Sequence, residues 1–210
     1  IFDYEEVGIQ TKDMSFKDYL DSRAISLLVE SLHNGRPFNE FFKYAQLYDI
    51  QPATMIETLH NNISEAPENI KKVLNDFINE TESELWKSEE QLVNYYSEEK
   101  NYQKLKRGEV GGNLIYKYKA HNIVKCGSSW VDFFEKQLFK AIRNKQPEMK
   151  SFLDIKSEIS EIANFSKLKI HGLFDVDSDT NPIQANFKFN IVEWIDQGDG
   201  DSLKKYKFEN

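Results

Sequence analysis

Met14 to Gly35 reads MSFKDYLDSRAISLLVESLHNG, and its spacing decides the fold class. Phe16, Leu20, Ala24, Leu27, Leu28 and Ser31 recur three and four residues apart, so they share one face of a helix. Ser15 is placed to cap that helix, with Asp18 where a capping box usually carries Glu or Gln. Asn34-Gly35 closes it, because glycine accepts the left-handed backbone of a helix stop. Pro37 then suits the first turn of a second helix, which Phe38, Phe41, Phe42 and Ala45 bury. Working back from Met14, YEEVGIQT (Tyr4 to Thr11) reads as a short strand with Val7 and Ile9 on one side.

The same period continues downstream. Pro52 and Pro67 open helices carrying Met55, Ile56, Leu59 and Ile63, then Ile70, Val73, Leu74, Phe77 and Ile78. Ser88 and Gln91 have capping-box spacing ahead of Leu92, Val93, Tyr95, Tyr96 and Tyr102. Gly108, Gly111 and Gly112 interrupt the pattern. It resumes at Leu114, Ile115 and Tyr118, again from Trp130 to Ala141, and once more from Phe152 to Ala163 after Pro147. After Asn164 the character changes. Leu168–Ile170, Leu173-Phe174 and the alternation Ala185, Phe187, Phe189, Ile191 predict strands. The expected fold is mainly α: a multi-helix bundle-like domain with a short N-terminal strand and a small β-containing C-terminal tail. The expected division is a helical domain over 1–164 and a tail over 165–210 packed on it.

Composition fits that frame. With 40% hydrophobic residues, 15 Phe, 10 Tyr and 3 Trp, the 210 residues can fill a sizeable core. Only 14 residues are Pro or Gly, which argues against a disordered chain and a many-turned sandwich. No apolar stretch approaches the ~20 residues of a membrane span. One cysteine, Cys126, excludes an internal disulfide and any cluster needing three thiolates from this chain. The cytoplasm is the expected compartment.

The net charge of −8 is unevenly spread. Lys100 to Lys150 carries 12 basic residues against Glu109, Asp132, Glu135 and Glu148, a local +8, which leaves −16 for the rest. Between Glu80 and Glu99, seven glutamates face only Lys87. The plain reading sets the basic helices beside acidic ones or makes them solvated faces. An overall acidic chain without a recognisable nucleic-acid motif is not expected to bind nucleic acid.

Familiar chemistry is missing. There is no Walker loop, no GxGxxG after a strand, no HExxH and no GxSxG. His33, His60, His121 and His171 lie at least 27 residues apart, so none pairs within a helix turn. GEVGGN (Gly108 to Asn113) precedes a helix and can offer N–H groups to an anion, although a flexible turn is the plainer reading. DVDSDTN (Asp175 to Asn181) opens like a calcium loop but has Thr180 and Asn186 where Gly and Glu belong. DQGDGD (Asp196 to Asp201) fails similarly, and both read as acidic turns. Cys126 has His121 five residues away, a poor helical spacing for a nucleophile and its base, so it reads as structural or incidental.

Several segments resemble a known family. Met14 to Gly35 is similar to the segment just after the catalytic barrel in cobalamin-binding radical S-adenosylmethionine proteins of the Fe–S oxidoreductase type. YEEVGIQT, YQKLKRGEVGGNLIYKYKA (Tyr102 to Ala120) and FKFNIVEWI…SLKKYKF (Phe187 to Phe208) also look like that family's C-terminal region. The likeness covers most of the chain, through packing patterns rather than ligands. In that family a CxxxCxxC motif in the barrel holds a four-iron cluster that cleaves S-adenosylmethionine, and a preceding module binds cobalamin. This chain has neither that motif nor DxHxxG, so no catalytic or cofactor residue carries over. The resemblance implies a C-terminal accessory domain, non-catalytic alone, that caps the upstream barrel or shapes its substrate site. Iron–sulfur cluster, S-adenosylmethionine and cobalamin would belong to the parent protein. Ile1 as first residue fits a piece cut just downstream of the barrel.

Four residues are candidate substrate or interdomain contacts: Tyr19, Arg23, Asn34 and Asn113. Tyr19 and Arg23 lie one turn apart on the first helix, and the permanent charge of Arg23 suits an anion or carboxylate. The plainer alternative pairs Arg23 with Asp18, Asp21 or Glu30. The other functional reading is a stand-alone helical interaction domain that uses its acidic or basic face.

Overall fold

The computed structural model describes residues 4–148, 151–174 and 185–209, with the backbone alone at 172–174. Helix accounts for 71% of it, which makes the chain mainly α. The helices are α1 (Phe16–Leu28), α2 (Asn39–Gln46), α3 (Pro52–Asn61), α4 (Glu68–Ser83), α5 (Glu89–Ser97), α6 (Glu99–Lys106), α7 (Leu114–Lys145), α8 (Phe152–Phe174) and α9 (Ile191–Gln197). The two runs read separately around Tyr118 and Trp130 are one helix, α7.

At 32 residues, α7 is about 48 Å long and forms the axis of the bundle. It touches α1, α2, α3, α4 and α8. Its buried stripe steps through Leu114, Tyr118, Asn122, Cys126, Trp130, Phe134, Leu138 and Ile142. Phe134 receives Phe38, Phe41 and Phe42 with ring centroids 5.2, 5.0 and 5.4 Å away. Gly127 lets α8 close in, since a Cβ there would lie 2.6 Å from Ile170 Cγ2.

Several polar groups drawn into this core are matched, although Thr81 Oγ1 and Ser166 Oγ are buried without a hydrogen bond. Trp130 Nε1 donates to Asn122 Oδ1 (3.2 Å) and Asn122 Nδ2 donates to Ser31 Oγ (3.1 Å), which ties the end of the first helix to α7. Glu40 is fully buried and accepts Lys169 Nζ at 2.8 and 2.6 Å. Tyr44 donates to Glu158 at 2.8 Å.

Helix ends follow local chemistry. Ser15 and Asp18 form the reciprocal capping box of α1. Ser88 Oγ accepts the Gln91 N–H of α5. Pro52 opens α3, and Pro67 sits at the cap of α4. The first helix ends in a π-helical turn, Val29–His33, and Gly35 then adopts φ 82°. Pro37 lies in the connecting turn, with α2 beginning at Asn39. Glu98, with ψ 122°, separates α5 from α6, where one helix through Tyr102 was expected.

Two strand expectations are corrected. Leu168–Ile170 and Leu173-Phe174 are helical, because α8 runs unbroken through Asn164 to Phe174. The buried spacing Ile155, Ile159, Ile162, Ser166, Ile170 extends the helical stripe, and no breaker interrupts it. Short apolar runs inside such a stripe mimic strands. The change of character placed after Asn164 therefore falls inside a helix. The alternation from Ala185 to Ile191 yields one antiparallel bridge, Phe189 to Lys207, before Asn190 caps α9. A ladder needs a second run of matching length, and the Leu203–Tyr206 segment is a 3₁₀ turn instead. At the other end, Tyr4 to Thr11 pairs with no strand among the described residues.

The described part of the tail, Ala185 to Glu209, rests on the bundle. Trp194 is fully buried against Tyr44 of α2 (6.3 Å), and Phe187 meets Phe165 of α8 (6.0 Å). Lys204 reaches Asp154 at 2.8 Å. Among the described residues no helix is long and apolar enough to cross a membrane.

Candidate functional site

The four sequence-predicted contacts do not converge. Asn113 caps α7, its Oδ1 accepting the Tyr116 N–H at 3.2 Å. The adjoining glycine loop is no open anion cradle, because the Gly111 N–H already donates to Glu84 Oε1 at 3.3 Å. Tyr19 is half-buried and stacks on Phe16 with centroids 6.1 Å apart. Arg23 and Asn34 carry more.

Arg23 has lost every partner that the plainer sequence reading offered. Asp18 is held by Ser15, whose hydroxyl and N–H pull its carboxyl below the usual range. Asp21 pairs with Lys17 at 2.6 Å. Glu30 accepts Asn34 Nδ2 at 2.6 Å and Lys119 Nζ at 3.1 Å, which lower its carboxyl too. The Arg23 guanidinium instead lies 5.7 Å from the Phe77 ring, with Nε buried and without a hydrogen bond. Phe77, Thr81 and Glu84 recur along one face of α4 and its cap. Thr81 Oγ1 is likewise buried without a partner. Burial pushes the Glu84 carboxyl above its ordinary value, against the Gly111 hydrogen bond and the positive charges of Lys117 and Arg23.

Asn34 lines a cavity of about 750 Å³ between the π-helical turn, α2 and α9. His33, Arg36, Asn39, Lys43, Gln46, Asp196 and Asp199 complete its polar wall. Lys43 Nζ donates to the Ile195 carbonyl (2.9 Å) and to Asp199 (3.3 Å) over the Trp194 ring. Arg36 follows Gly35 into the left-handed region at φ 59°, which costs a non-glycine residue on the order of 1 kcal/mol. It makes no ion pair among the described residues. Sequence reasoning found Asn34 here but missed Arg36 and Lys43. The only signal was the helix stop at Asn34-Gly35, because the far wall comes from α9, more than 150 residues downstream.

The arrangement can hold polar groups, but it offers no activated nucleophile. Cys126 is buried, and burial raises its thiol. His121 instead meets the Tyr118 ring edge-on at 5.4 Å, its imidazole lowered by burial and by Lys125 and Lys117. Among the described residues, no three of His, Cys, Asp and Glu could hold a metal ion. The Asp175 to Asn181 run lies outside the described residues. In the Asp196 to Asp201 run, Asp199 serves Lys43, and Asp201 serves Lys205 and Tyr206. A single buried thiol does not fit an iron–sulfur cluster.

Part of the basic middle of the chain is used internally. Lys117 pairs with Glu80 (2.6 Å), Lys119 with Glu30 (3.1 Å), and Lys136 and Lys140 with Glu65 (2.9 and 2.6 Å). Its lysines thus sit beside acidic elements, as the plain reading of the charge pattern expects. No protein-family model, curated protein or solved structure matches the chain.

Proposed function

We propose that the chain is the C-terminal accessory domain of a radical S-adenosylmethionine Fe–S oxidoreductase. It is non-catalytic alone and packs on the catalytic barrel encoded upstream in the same polypeptide, capping it or shaping its substrate site. The family comes from the resemblance of Met14–Gly35 and the later segments. The observation that carries the interdomain role is Arg23, whose Nε is buried without a hydrogen bond while Asp18, Asp21 and Glu30 are engaged elsewhere. Stranding a buried donor is unfavourable unless something else accepts from it, and an acidic or carbonyl group of the barrel would do so. The cluster, S-adenosylmethionine and any cobalamin belong in this reading to the upstream part, in a cytoplasmic protein.

The reading frame tests this. It is expected to continue upstream into a Cys-x₃-Cys-x₂-Cys motif, and a stop codon just before Ile1 defeats the proposal. The isolated chain, incubated with iron, sulfide and S-adenosylmethionine, is expected to stay colourless and to form no 5′-deoxyadenosine. A second reading, a stand-alone helical interaction domain using its acidic or basic face, draws on a different observation: of the seven glutamates between positions 80 and 99, only Glu80 is in an ion pair among the described residues.

A further inference from the structure

Helix α5 stands apart in this bundle. It has nine residues, none of them buried, and the helix it chiefly meets is α6. Isolated helices shorter than ~12 residues are marginal in water, so such a segment depends on cover. Its apolar side chains are already gathered. Trp86, Tyr95 and Tyr96 cluster with centroids 4.9, 6.1 and 5.1 Å apart. Trp86 and Tyr95 remain 37% and 40% exposed, whereas Trp130 and Trp194 are completely enclosed.

The carboxylates around this aromatic patch are mostly unpaired. Of the seven glutamates between positions 80 and 99, Glu80 is the one in an ion pair among the described residues. Glu84, Glu89, Glu98 and Glu99 hydrogen-bond to neutral groups: the Gly111 N–H, the Tyr4 hydroxyl, Asn101 and Gln103. Lys100, Lys104 and Lys106 of α6 belong to the same arm, yet none pairs with these carboxylates. Exposed rings beside carboxylates favour one kind of guest, because the face of an aromatic ring and a carboxylate both attract a cation.

We infer that the α5 arm is a docking surface for a basic protein segment. Lys and Arg side chains lie on the exposed faces of Trp86 and Tyr95, and the flanking glutamates take their charge. This does not rest on the family reading, because it needs only the chain itself.

The test is a titration of the 210-residue chain with a fluorescein-labelled peptide alternating Arg, Lys and Gly. Anisotropy reports binding, and tryptophan emission locates it, since Trp86 is the exposed indole. Saturable binding with an emission change is expected. Glu89→Gln with Glu90→Gln should weaken it about 5-fold, and Tyr95→Ser by a similar factor, about 5-fold. Tyr95→Phe keeps the ring and should keep the binding. Glu57→Gln, an exposed change on α3, should have no effect. Far-UV circular dichroism shows that each variant is folded. The inference falls if the peptide does not bind, if Tyr95→Ser binds as wild type does, or if a peptide with Glu for Lys and Arg binds equally. It also falls if the free chain is a dimer that shields Trp86 from iodide, because a second copy then owns the surface.

Discussion

Replacing Arg23 by Met separates a residue kept for folding from one kept for contact. Methionine preserves the apolar stem and most of the volume, so packing against Phe77 is largely retained. The substitution removes a buried Nε without a hydrogen bond, whose stranding costs about 1–3 kcal/mol. Against that, the cation–π contact at 5.7 Å is worth about 0.5–1 kcal/mol. The attraction to half-buried Glu84 adds no more than ~1 kcal/mol. The balance predicts an isolated chain as stable as wild type, or more stable by up to about 2 kcal/mol. Urea unfolding followed by tryptophan fluorescence and circular dichroism measures it, and 1 kcal/mol moves the midpoint by roughly 0.3–1 M. Arg23→Lys, which also lacks Nε, should behave the same way. If Arg23→Met loses about 2 kcal/mol or more, the guanidinium has a partner within the domain and the argument for an outside acceptor is refuted.

Gly127→Ala places a Cβ 2.6 Å from Ile170 Cγ2. Overpacking of about 1–3 kcal/mol should outweigh the ~1 kcal/mol gain in helix propensity, and in an Ile170→Leu background, which removes that methyl, the sign should reverse. Lys169→Met strands the enclosed Glu40 carboxylate and should cost about 3–5 kcal/mol in urea, with Glu40→Gln in the same chain recovering much of the loss. Glu84 and Glu65 should give opposite pH signatures. The raised carboxyl of Glu84 favours the fold below the ordinary carboxylate range and loses that contribution as pH rises through its folded value, so Glu84→Gln should gain on wild type from pH 4 to pH 7. Glu65 is pushed down to about 2 by Lys140, Lys136 and Gln137. Its contribution is present above the ordinary carboxylate range and disappears as pH falls toward 2, so wild type and Glu65→Gln should converge in acid.

Helices with strong local signals were legible. The Ser15–Asp18 box, the proline starts of α3 and α4, and the four-residue rhythm of α7 all rest on interactions within one or two turns. What failed depended on distant partners. Leu168–Ile170 is as apolar as a buried strand, and only the approach of α8 to Gly127 shows that the run is a helix face. Phe187 and Phe189 alternate correctly for a strand, but among the described residues they gain only the single bridge from Phe189 to Lys207. The site divides in the same way. Arg23 was legible as a charged residue on a helix face, whereas its isolation was not, because Lys119 of α7 is one of the groups that occupy Glu30. The cavity at Asn34 needed α9, and no local pattern announces that Lys43 will meet Asp199.

The two loose ends of the molecule both adjoin α4. Arg23 lies over Phe77 and acts on the charge of Glu84, which caps α4 two residues before Trp86, so the unpaired Arg23 Nε and the uncovered aromatic arm both lie toward the C-terminal half of α4. A partner that satisfies both must present an acceptor to Arg23 and cations to Trp86 and Tyr95. A uniformly basic surface would leave Arg23 repelled, and a uniformly acidic one would meet the glutamates of α5. Charge alternation is therefore the property to look for in a partner that covers both. If one surface covers both ends, Arg23→Met and the Glu89/Glu90 pair should show coupled effects on its binding. If two partners are involved, the effects should add independently.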